Sequence, residues 1–173
     1  MKKRISILGA TGTIGRNTLD VASAAQQESE LVALTGNENW QAMAELARKY
    51  RPECIAMADR GAAQKLKDSV QDPGIDILDG PEGVVEAAGR SADWTMAGIV
   101  GMAGLPATMA AIDQGGTVAF AAKECLAGAG PVLMQMVEKT GTTLLPVDSE
   151  HNALFQVYEH RNRKQIEKMI LTA

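Results

Sequence analysis

The sequence contains few of the residues that mark several common classes of protein. It has two cysteines, Cys54 and Cys125, which stand far apart and in no spacing typical of metal ligands. We therefore expect both to be reduced thiols in a cytoplasmic protein. Aromatic residues make up 3% of the chain, which argues against a stacking platform for single-stranded nucleic acid.

A basic surface and a long apolar run are also missing. The formal net charge is -4, whereas a nucleic-acid-binding domain usually has a basic face. No stretch is long and apolar enough to span a membrane, and the apolar run Ile5–Leu8 meets a glycine at once, unlike a signal peptide. We expect neither a nucleic-acid partner nor a membrane segment. An anionic cofactor remains possible, since backbone N–H groups and a few local cations suffice to bind it.

Short β-rich runs alternate with longer helical patterns. Several runs are continuously apolar, as in strands covered on both faces, whereas Trp40, Met43 and Ala47 follow helical spacing. The predicted strands are Ile5–Leu8, Leu31–Leu34, Cys54–Met57, Ile75–Leu78, Trp94–Ala97, Thr117–Phe120 and Thr143–Pro146. The predicted helices are Gly15–Ala25, Trp40–Tyr50, Ala62–Val70, Leu105–Gln114 and Glu124–Thr140. Repeated strand–helix units predict a doubly wound, Rossmann-like α/β domain with a mostly parallel sheet and helices on both faces.

A glycine-rich segment follows the first predicted strand. Gly9, Gly12 and Gly15 have the spacing G-x-x-G-x-x-G, a variant of the dinucleotide-binding fingerprint. Glycines there permit a tight turn and a close approach of phosphate, and the next helix directs its first N–H groups to the same place. A glycine turn can also serve only to join a strand to a helix. Its position directly after an N-terminal strand favours dinucleotide binding.

The end of the second predicted strand bears on which dinucleotide would bind. An NAD enzyme often has an acid there that holds the ribose hydroxyls. This chain has the neutral residues Thr35, Asn37 and Asn39, which offer hydrogen bonds to a 2′-phosphate. Glu38 would repel that phosphate if it faced inward. A polar loop whose asparagines serve only the turn is an equally good interpretation.

Three blocks of the sequence together resemble the 1-deoxy-D-xylulose 5-phosphate reductoisomerases of the non-mevalonate isoprenoid pathway. They are Ile5–Gly15 with Asn17–Asp20, then Ile99–Leu105, and finally Leu144–Gln156, which is the most specific. The similarity covers essentially the whole chain, corresponding to the first half or less of such an enzyme. It implies metal-assisted rearrangement of 1-deoxy-D-xylulose 5-phosphate, followed by NADPH reduction to 2-C-methyl-D-erythritol 4-phosphate.

The resemblance also implies particular cofactor contacts. They would come from the glycine loop and from the loop after the second strand: Gly9, Thr11, Gly12, Thr13, Ile14, Asn37, Glu38 and Asn39. The family commonly has a basic residue at the position of Glu38 and an Asn at that of Ala122, so these two contacts differ here. By the same resemblance, Lys123 contacts substrate and acts in catalysis, and Glu124 contacts the cofactor.

The segment Asp-Ser-Glu-His carries the implied metal ligands. In the family its Asp and Glu bind Mg²⁺ or Mn²⁺ and its Ser contacts substrate, which implies Asp148 and Glu150 as metal and catalytic residues and Ser149 and Glu150 as substrate contacts. Residues two apart face the same side only in an extended chain, so sharing an ion requires Asp148 to end a strand or precede a helix. The alternative, compatible interpretation is that Asp148 or Ser149 caps a helix through His151–Tyr158.

The resemblance divides the chain into an NADPH-binding domain over residues 1–148 and the start of a catalytic domain over 149–173. The segment Met169–Ala173 is predicted to open another buried strand, which suggests a truncated chain. The family's third acidic ligand, phosphate-binding residues and lid would lie beyond Ala173. We therefore expect cofactor binding without turnover, and a homodimer for the full-length enzyme.

The sequence is also compatible with two other functions. One is the nucleotide-binding domain of another NADP oxidoreductase with a GATG-type loop. It would need an activated cysteine, and nothing near Cys125 in sequence activates that thiol. The other is a non-catalytic nucleotide-sensing domain, which would bind no cation at Asp148 and Glu150.

Overall fold

The computed structural model describes residues 2–24, 29–158 and 164–171. The strands are β1 (Lys3–Leu8), β2 (Ser29–Gly36), β3 (Cys54–Met57), β4 (Asp76–Asp79), β5 (Trp94–Ala97), β6 (Thr117–Phe120) and β7 (Thr143–Pro146). The helices are α1 (Thr13–Ala24), α2 (Trp40–Tyr50), α3 (Arg60–Ser69), α4 (Gly80–Ala88), α5 (Leu105–Asp113), α6 (Lys123–Thr140) and α7 (Ser149–Val157), with a short 3₁₀ helix at Met102–Gly104. Ala25, the predicted end of the first helix, lies outside the described residues.

All strands pair in parallel, in the order β4-β3-β2-β1-β5-β6-β7. The chain moves outward from β1 to β4 and then returns to place β5 on the other side of β1. Between β1 and β5 the strand order therefore reverses. Open α/β sheets bind ligands in the crevice that such a reversal leaves at the carboxyl ends of the strands. The predicted Rossmann-like α/β class is confirmed.

Hydrophobic cores cover both faces of the sheet. On one face, α1, α2 and α3 bury side chains such as Leu19 and Met43. On the other, α4, α5 and α6 bury side chains such as Ile112 and Leu133. Right-handed crossovers produce this arrangement, because the chain travels in opposite directions along the two halves of the sheet. Within the described ranges, every helix is too short or too polar to cross a membrane.

Helix α4 was not indicated by the sequence pattern. Its first turn contains Gly80, Pro81 and Gly83, residues that are typical of loops. Proline is nevertheless well tolerated in the first turn of a helix, where its missing N–H would have no partner. Val84 and Ala87 are buried against the sheet, so tertiary packing outweighs the poor local propensity.

Helix α6 is kinked, whereas the pattern predicted one continuous helix. Ala129 has non-helical angles (φ −136°, ψ 17°), and Pro131 lies just beyond it. Proline lacks an N–H and its ring collides with the preceding turn, which breaks the helix there. The kink separates a short first part, which carries Lys123 at the end of β6, from a second part that buries Leu133.

The strand predicted at Met169–Ala173 is wrong for the part that the structure describes. Residues 166–171 have no regular secondary structure, and Met169, Ile170 and Leu171 are exposed. A strand needs a neighbouring strand to satisfy its backbone N–H and C=O groups. Among the described residues, no strand pairs with this segment. Thr172 and Ala173 lie outside the described residues.

Candidate functional site at the carboxyl edge of the sheet

The loop between β1 and α1 lies at the reversal of strand order. Gly9 has a φ of +84° and donates its N–H to Thr35 Oγ1 at 3.0 Å, and the N–H of Ala10 donates to Thr35 O at 2.7 Å. A Cβ on Gly15 would lie 2.4 Å from Gly9 O. The glycine therefore lets α1 begin directly against the loop, with the positive end of its dipole at the crevice.

A second loop with the same glycine spacing follows β5, on the other side of the crevice. Gly98, Gly101 and Gly104 repeat the pattern G-x-x-G-x-x-G. Gly98 packs tightly on the first loop, since a Cβ there would lie 3.0 Å from Leu8 O and 3.3 Å from Ile14 Cγ2. In the sequence, this stretch was interpreted only as one block of the resemblance to the family. The repeated glycine spacing was the signal that marks it as the second wall of the crevice.

The loop after β2 adjoins the first glycine loop. Thr35 is buried and its hydroxyl is bonded to that loop, so the interpretation of Thr35 as a phosphate contact is wrong. Asn39 Oδ1 accepts the N–H of Ala42 at 3.1 Å and caps α2, as the alternative interpretation predicted. Asn37 and Glu38 are exposed at the same rim. The contacts of Asn37, Glu38 and Asn39 with a cofactor stay predictions.

The residues predicted to bind metal and substrate gather where β6 and β7 end. Lys123 begins α6, and its Nζ lies 3.7 Å from Glu150 Oε2 in α7. Asp148 is the N-cap of α7, in extended conformation, and its Oδ1 accepts the N–H of His151 at 3.0 Å. Ser149 is the first residue of that helix. Asp148 thus caps the helix and also meets the condition for sharing an ion with Glu150.

The surroundings of Asp148 favour its carboxylate form. Its side chain is 11% exposed, and this burial acts to raise the pKa. Hydrogen bonds from the N–H and the Nδ1 of His151 (2.7 Å for Nδ1) oppose it, together with the charges of His151 and Lys123, so the pKa lies below its usual range. Both hydrogen bonds end on Oδ1. Within the described part of the chain, Oδ2 accepts no hydrogen bond.

The donor set fits a hard divalent cation in part. Asp148 and Glu150 supply carboxylate oxygens, the ligands that Mg²⁺ and Mn²⁺ prefer. Across residues 2–24, 29–158 and 164–171, no three or more His, Cys, Asp or Glu side chains cluster as a metal site. These two carboxylates would therefore leave most of the coordination shell to other ligands. Cation binding by the pair stays a prediction.

The start of α6 is tied to the second glycine loop. Cys125 Sγ donates to Gly101 O at 3.4 Å. Ala122 and Cys125 are buried, whereas Lys123 and Glu124 are exposed. The thiol contact therefore holds the short first part of α6 against one wall of the crevice, with its two charged residues on the solvent side.

Neither cysteine has the surroundings of an activated nucleophile. Burial raises the pKa of Cys54 to about 12. Burial, and then the charge of Glu124, raise the pKa of Cys125. The thiolate is the reactive form of cysteine, so these thiols are poor nucleophiles. This argues against an oxidoreductase that acts through an activated cysteine.

Comparison with known proteins agrees with this geometry. Residues 5–130 match the family described as 1-deoxy-D-xylulose 5-phosphate reductoisomerase, and residues 144–173 match its C-terminal domain family. The reductoisomerase of Sinorhizobium fredii is 48% identical over 174 residues, covering 99% of this chain and 44% of that protein. That of Bradyrhizobium sp. strain BTAi1 is 45% identical over 171 residues, covering 99% and 42%. The chain thus spans less than half the length of these curated relatives.

Solved structures give the same result. The Zymomonas mobilis reductoisomerase in complex with NADPH superposes with a TM-score of 0.90 and 43% identity, covering 95% of this chain and 43% of that one. A DOX-P reductoisomerase in complex with NADPH, fosmidomycin and magnesium has a TM-score of 0.86 and 36% identity, covering 93% and 40%. The two glycine loops and the Asp-Ser-Glu-His segment lie within the residues that the two family models match. The chain belongs to the 1-deoxy-D-xylulose 5-phosphate reductoisomerase family.

Proposed function

We propose that the chain is the NADPH-binding part of an enzyme that converts 1-deoxy-D-xylulose 5-phosphate to 2-C-methyl-D-erythritol 4-phosphate. The observation that carries the proposal is the placement of two glycine loops and the Lys123–Glu150 pair along one edge of the sheet. A relative of 43% identity was solved with NADPH, which supports the cofactor. The chain spans 42–45% of the curated relatives. We accordingly propose that the 173-residue polypeptide by itself binds NADPH without turnover.

In the proposed complex the two glycine loops form the walls around the cofactor. The backbone from Gly9 to Ile14 accommodates the pyrophosphate, because the glycines leave room and the start of α1 favours negative charge. The loop Asn37–Asn39 would contact the adenosine end of the cofactor, and Glu124 would contact it from α6. NADPH supplies the hydride when bound, and the protein positions it and excludes water.

The polar residues after β6 and β7 act on the sugar phosphate in this proposal. A divalent cation, when bound, stabilises negative charge on substrate oxygens. Asp148 and Glu150 would hold it as carboxylates, and the lowered pKa of Asp148 agrees with an ionised ligand. The Ser149 hydroxyl binds substrate. Lys123, held 3.7 Å from Glu150, donates to a substrate oxygen that carries developing charge.

We also propose a domain boundary between residues 148 and 149. The cofactor domain covers 1–148, and residues 149–173 begin the catalytic domain. In support, Asp148 follows the last strand of the sheet and Ser149 opens α7. The matched family ranges, 5–130 and 144–173, also divide in this region.

For the full-length enzyme we propose a cytoplasmic homodimer that binds neither nucleic acid nor membrane. The homodimer follows from the resemblance to the family. The net charge of -4 supports the absence of a nucleic-acid partner. Cys54 and Cys125 are buried free thiols, as is usual in a reducing compartment. Light scattering on the full-length protein measures the number of subunits.

Calorimetric titration of the chain with NADPH and with NADH, at fixed ionic strength, tests the cofactor. We expect micromolar binding of NADPH and weaker binding of NADH. A Gly12→Ala variant should bind NADPH more weakly, because its methyl group makes only an ordinary 3.4 Å contact with Gly9 O but stands where phosphate approaches. Gly130→Ala, whose Cβ meets nothing within 4 Å, is the control. Binding of neither dinucleotide by the wild type contradicts the proposal.

Titration of the full-length protein with Mn²⁺, followed by electron paramagnetic resonance, tests the acidic pair. We expect binding that Asp148→Asn and Glu150→Gln each weaken strongly. Asparagine retains an oxygen that caps α7, so Asp148→Asn removes the charge without removing the cap. A full-length protein that binds NADPH but no Mn²⁺ would favour the nucleotide-sensing alternative.

A further inference from the structure

Glu38 is unfavourably placed for recognition of the 2′-phosphate, the group that distinguishes NADPH from NADH. The loop Asn37–Asn39 borders the adenosine end in the proposed complex, and Glu38 places a negative charge there. A dianionic phosphate beside a carboxylate is unfavourable unless a cation lies close to both. Two arginines belong to segments at the same edge of the sheet: Arg16 contacts the first glycine loop, and Arg60 begins α3.

Arg60 is already committed to other partners. It begins α3 directly after Asp59, whose N–H donates to Asn37 O at 3.4 Å. Its guanidinium forms an ion pair with Asp79 at 2.8 Å and a second ion pair with Glu82. Its charge is therefore compensated by two carboxylates, and it is poorly placed to attract a phosphate.

Arg16 has no such compensation. Its Nε donates to Thr11 O, in the first glycine loop, at 3.1 Å. Its side chain is exposed, and within the described ranges it forms no ion pair. A guanidinium has five N–H donors, so four remain for a ligand. The tether holds these donors at the loop that the cofactor would contact.

The position of Arg16 on α1 directs it toward α2. Arg16, Asp20 and Ser23 are spaced to share one helix face. Ser23 Oγ lies 3.2 Å from the Tyr50 hydroxyl at the end of α2, and the charge of Asp20 acts on Lys49 in the same helix. Both helices run away from the carboxyl edge of the sheet. Arg16, two turns before Ser23, therefore lies near the starts of α1 and α2.

We propose that Arg16 recognises the 2′-phosphate of NADPH in this chain, in place of a basic residue at the position of Glu38. This inference rests on the proposed function. Arginine pairs with phosphate through parallel N–H···O bonds that involve two charged partners. A guanidinium bound to the phosphate would also offset part of the negative charge of Glu38. A residue of α1, rather than one of the loop after β2, then determines the preference for NADPH over NADH.

Calorimetric titration with NADPH and NADH tests the inference on the wild type and on Arg16→Gln. The variant should raise the Kd for NADPH roughly 10- to 100-fold, because a charge-assisted contact is lost, and leave the Kd for NADH within about twofold. Arg16→Lys keeps the charge without the planar fork and should give an intermediate loss. Arg60→Gln is the matched control and should change neither Kd. Adding Glu38→Lys to Arg16→Gln should restore part of the preference.

The outcomes separate this inference from the proposed function. A wild type that prefers NADPH, with Arg16→Gln unchanged in that preference, overturns the role of Arg16 and leaves the function standing. Equal weakening of NADPH and NADH in Arg16→Gln also overturns it, because the residue would then serve the loop or the pyrophosphate. A wild type that binds neither dinucleotide overturns both proposals. Retained NADH binding shows that each variant is folded.

Discussion

Gly12 and Gly15 stand in the same loop but meet different surroundings. A Cβ on Gly15 would lie 2.4 Å from Gly9 O, a backbone atom, whereas one on Gly12 would lie 3.4 Å from the same atom. We expect Gly15→Ala to lower the free energy of unfolding by about 1–3 kcal/mol, because α1 must move off the loop. Gly12→Ala should change it by less than about 0.5 kcal/mol. Urea denaturation followed by circular dichroism measures both, and equal stability of the two variants would contradict the geometry.

Asp148 gives α7 a cap that depends on pH. Because hydrogen bonds from His151 hold the pKa of Asp148 in the folded state below its usual value, the stabilisation is fully present above the pKa of the unfolded chain. The stabilisation is lost as the pH falls through the lower pKa that Asp148 has in the folded state. At pH 7, Asp148→Ala should weaken the amide protection of α7 by about 1 kcal/mol, and Asp148→Asn by much less. Hydrogen exchange read by NMR measures this. If the difference in amide protection of α7 between the wild type and Asp148→Ala stayed constant down to strongly acidic pH, the cap would not depend on the charge of Asp148.

Individual site residues show where inference from the sequence stops. From the sequence, Asn39 could serve the turn or contact the cofactor. The 3.1 Å bond to the Ala42 N–H shows that it caps α2, whereas its contact with a cofactor stays a prediction. The sequence marked Asp148 and Glu150, but the approach of Lys123 to Glu150 depends on β6 and β7 ending side by side. No spacing rule indicates that the exposed Arg16 folds back to the glycine loop. Such contacts arise from the packing of distant segments.

Among the elements, the second part of α6 presents two adjacent residues with opposite surroundings. Leu133 is fully buried and Met134 is 50% exposed. Leu133→Ala should lower the free energy of unfolding by about 2–5 kcal/mol, because it leaves a cavity between α6 and the sheet. The free energy of unfolding of Met134→Ala should lie within about 0.5 kcal/mol of the wild-type value. Chemical denaturation of the two variants compares them, and similar losses would show that α6 packs differently.

The sequence predicts strand and helix bounds where apolar or capping side chains mark them. The apolar residues Leu31–Leu34 marked the centre of β2, but the strand extends to polar ends because backbone pairing with β1 continues to Ser29. Helix α3 begins before the predicted Ala62. Asp59 Oδ1 accepts the Ala62 N–H at 2.6 Å and caps the helix, a start signal that was readable in the sequence.

For the whole molecule, both thiols report on the integrity of the core. Cys54 and Cys125 are fully buried, and burial raises the pKa of each. Ellman's reagent should therefore modify neither in the native protein, and both in guanidinium chloride. The absorbance of the released thiolate measures the number of reactive groups. Rapid reaction of native Cys125 would contradict the structure and revive the oxidoreductase with an activated cysteine.

The strand order could not be derived from the sequence, although the α/β class could. Alternating strands and helices are compatible with a barrel and with several open sheets. The order depends on where each crossover lands, and here the decisive one passes through α4, which brings β5 beside β1. That helix begins with Gly80 and Pro81, so the element that creates the crevice was the one least visible in the sequence.

The position of β1 in the middle of the sheet also governs how the protein forms during synthesis. Its second partner, β5, follows it by about 90 residues, and parallel pairing across such a separation is slow. A ribosome that adds roughly 5–20 residues per second leaves β1 unpaired on that side for about 5–20 s. During this interval a chaperone or a neighbouring nascent chain has access to the open edge, and the crevice has only one of its walls.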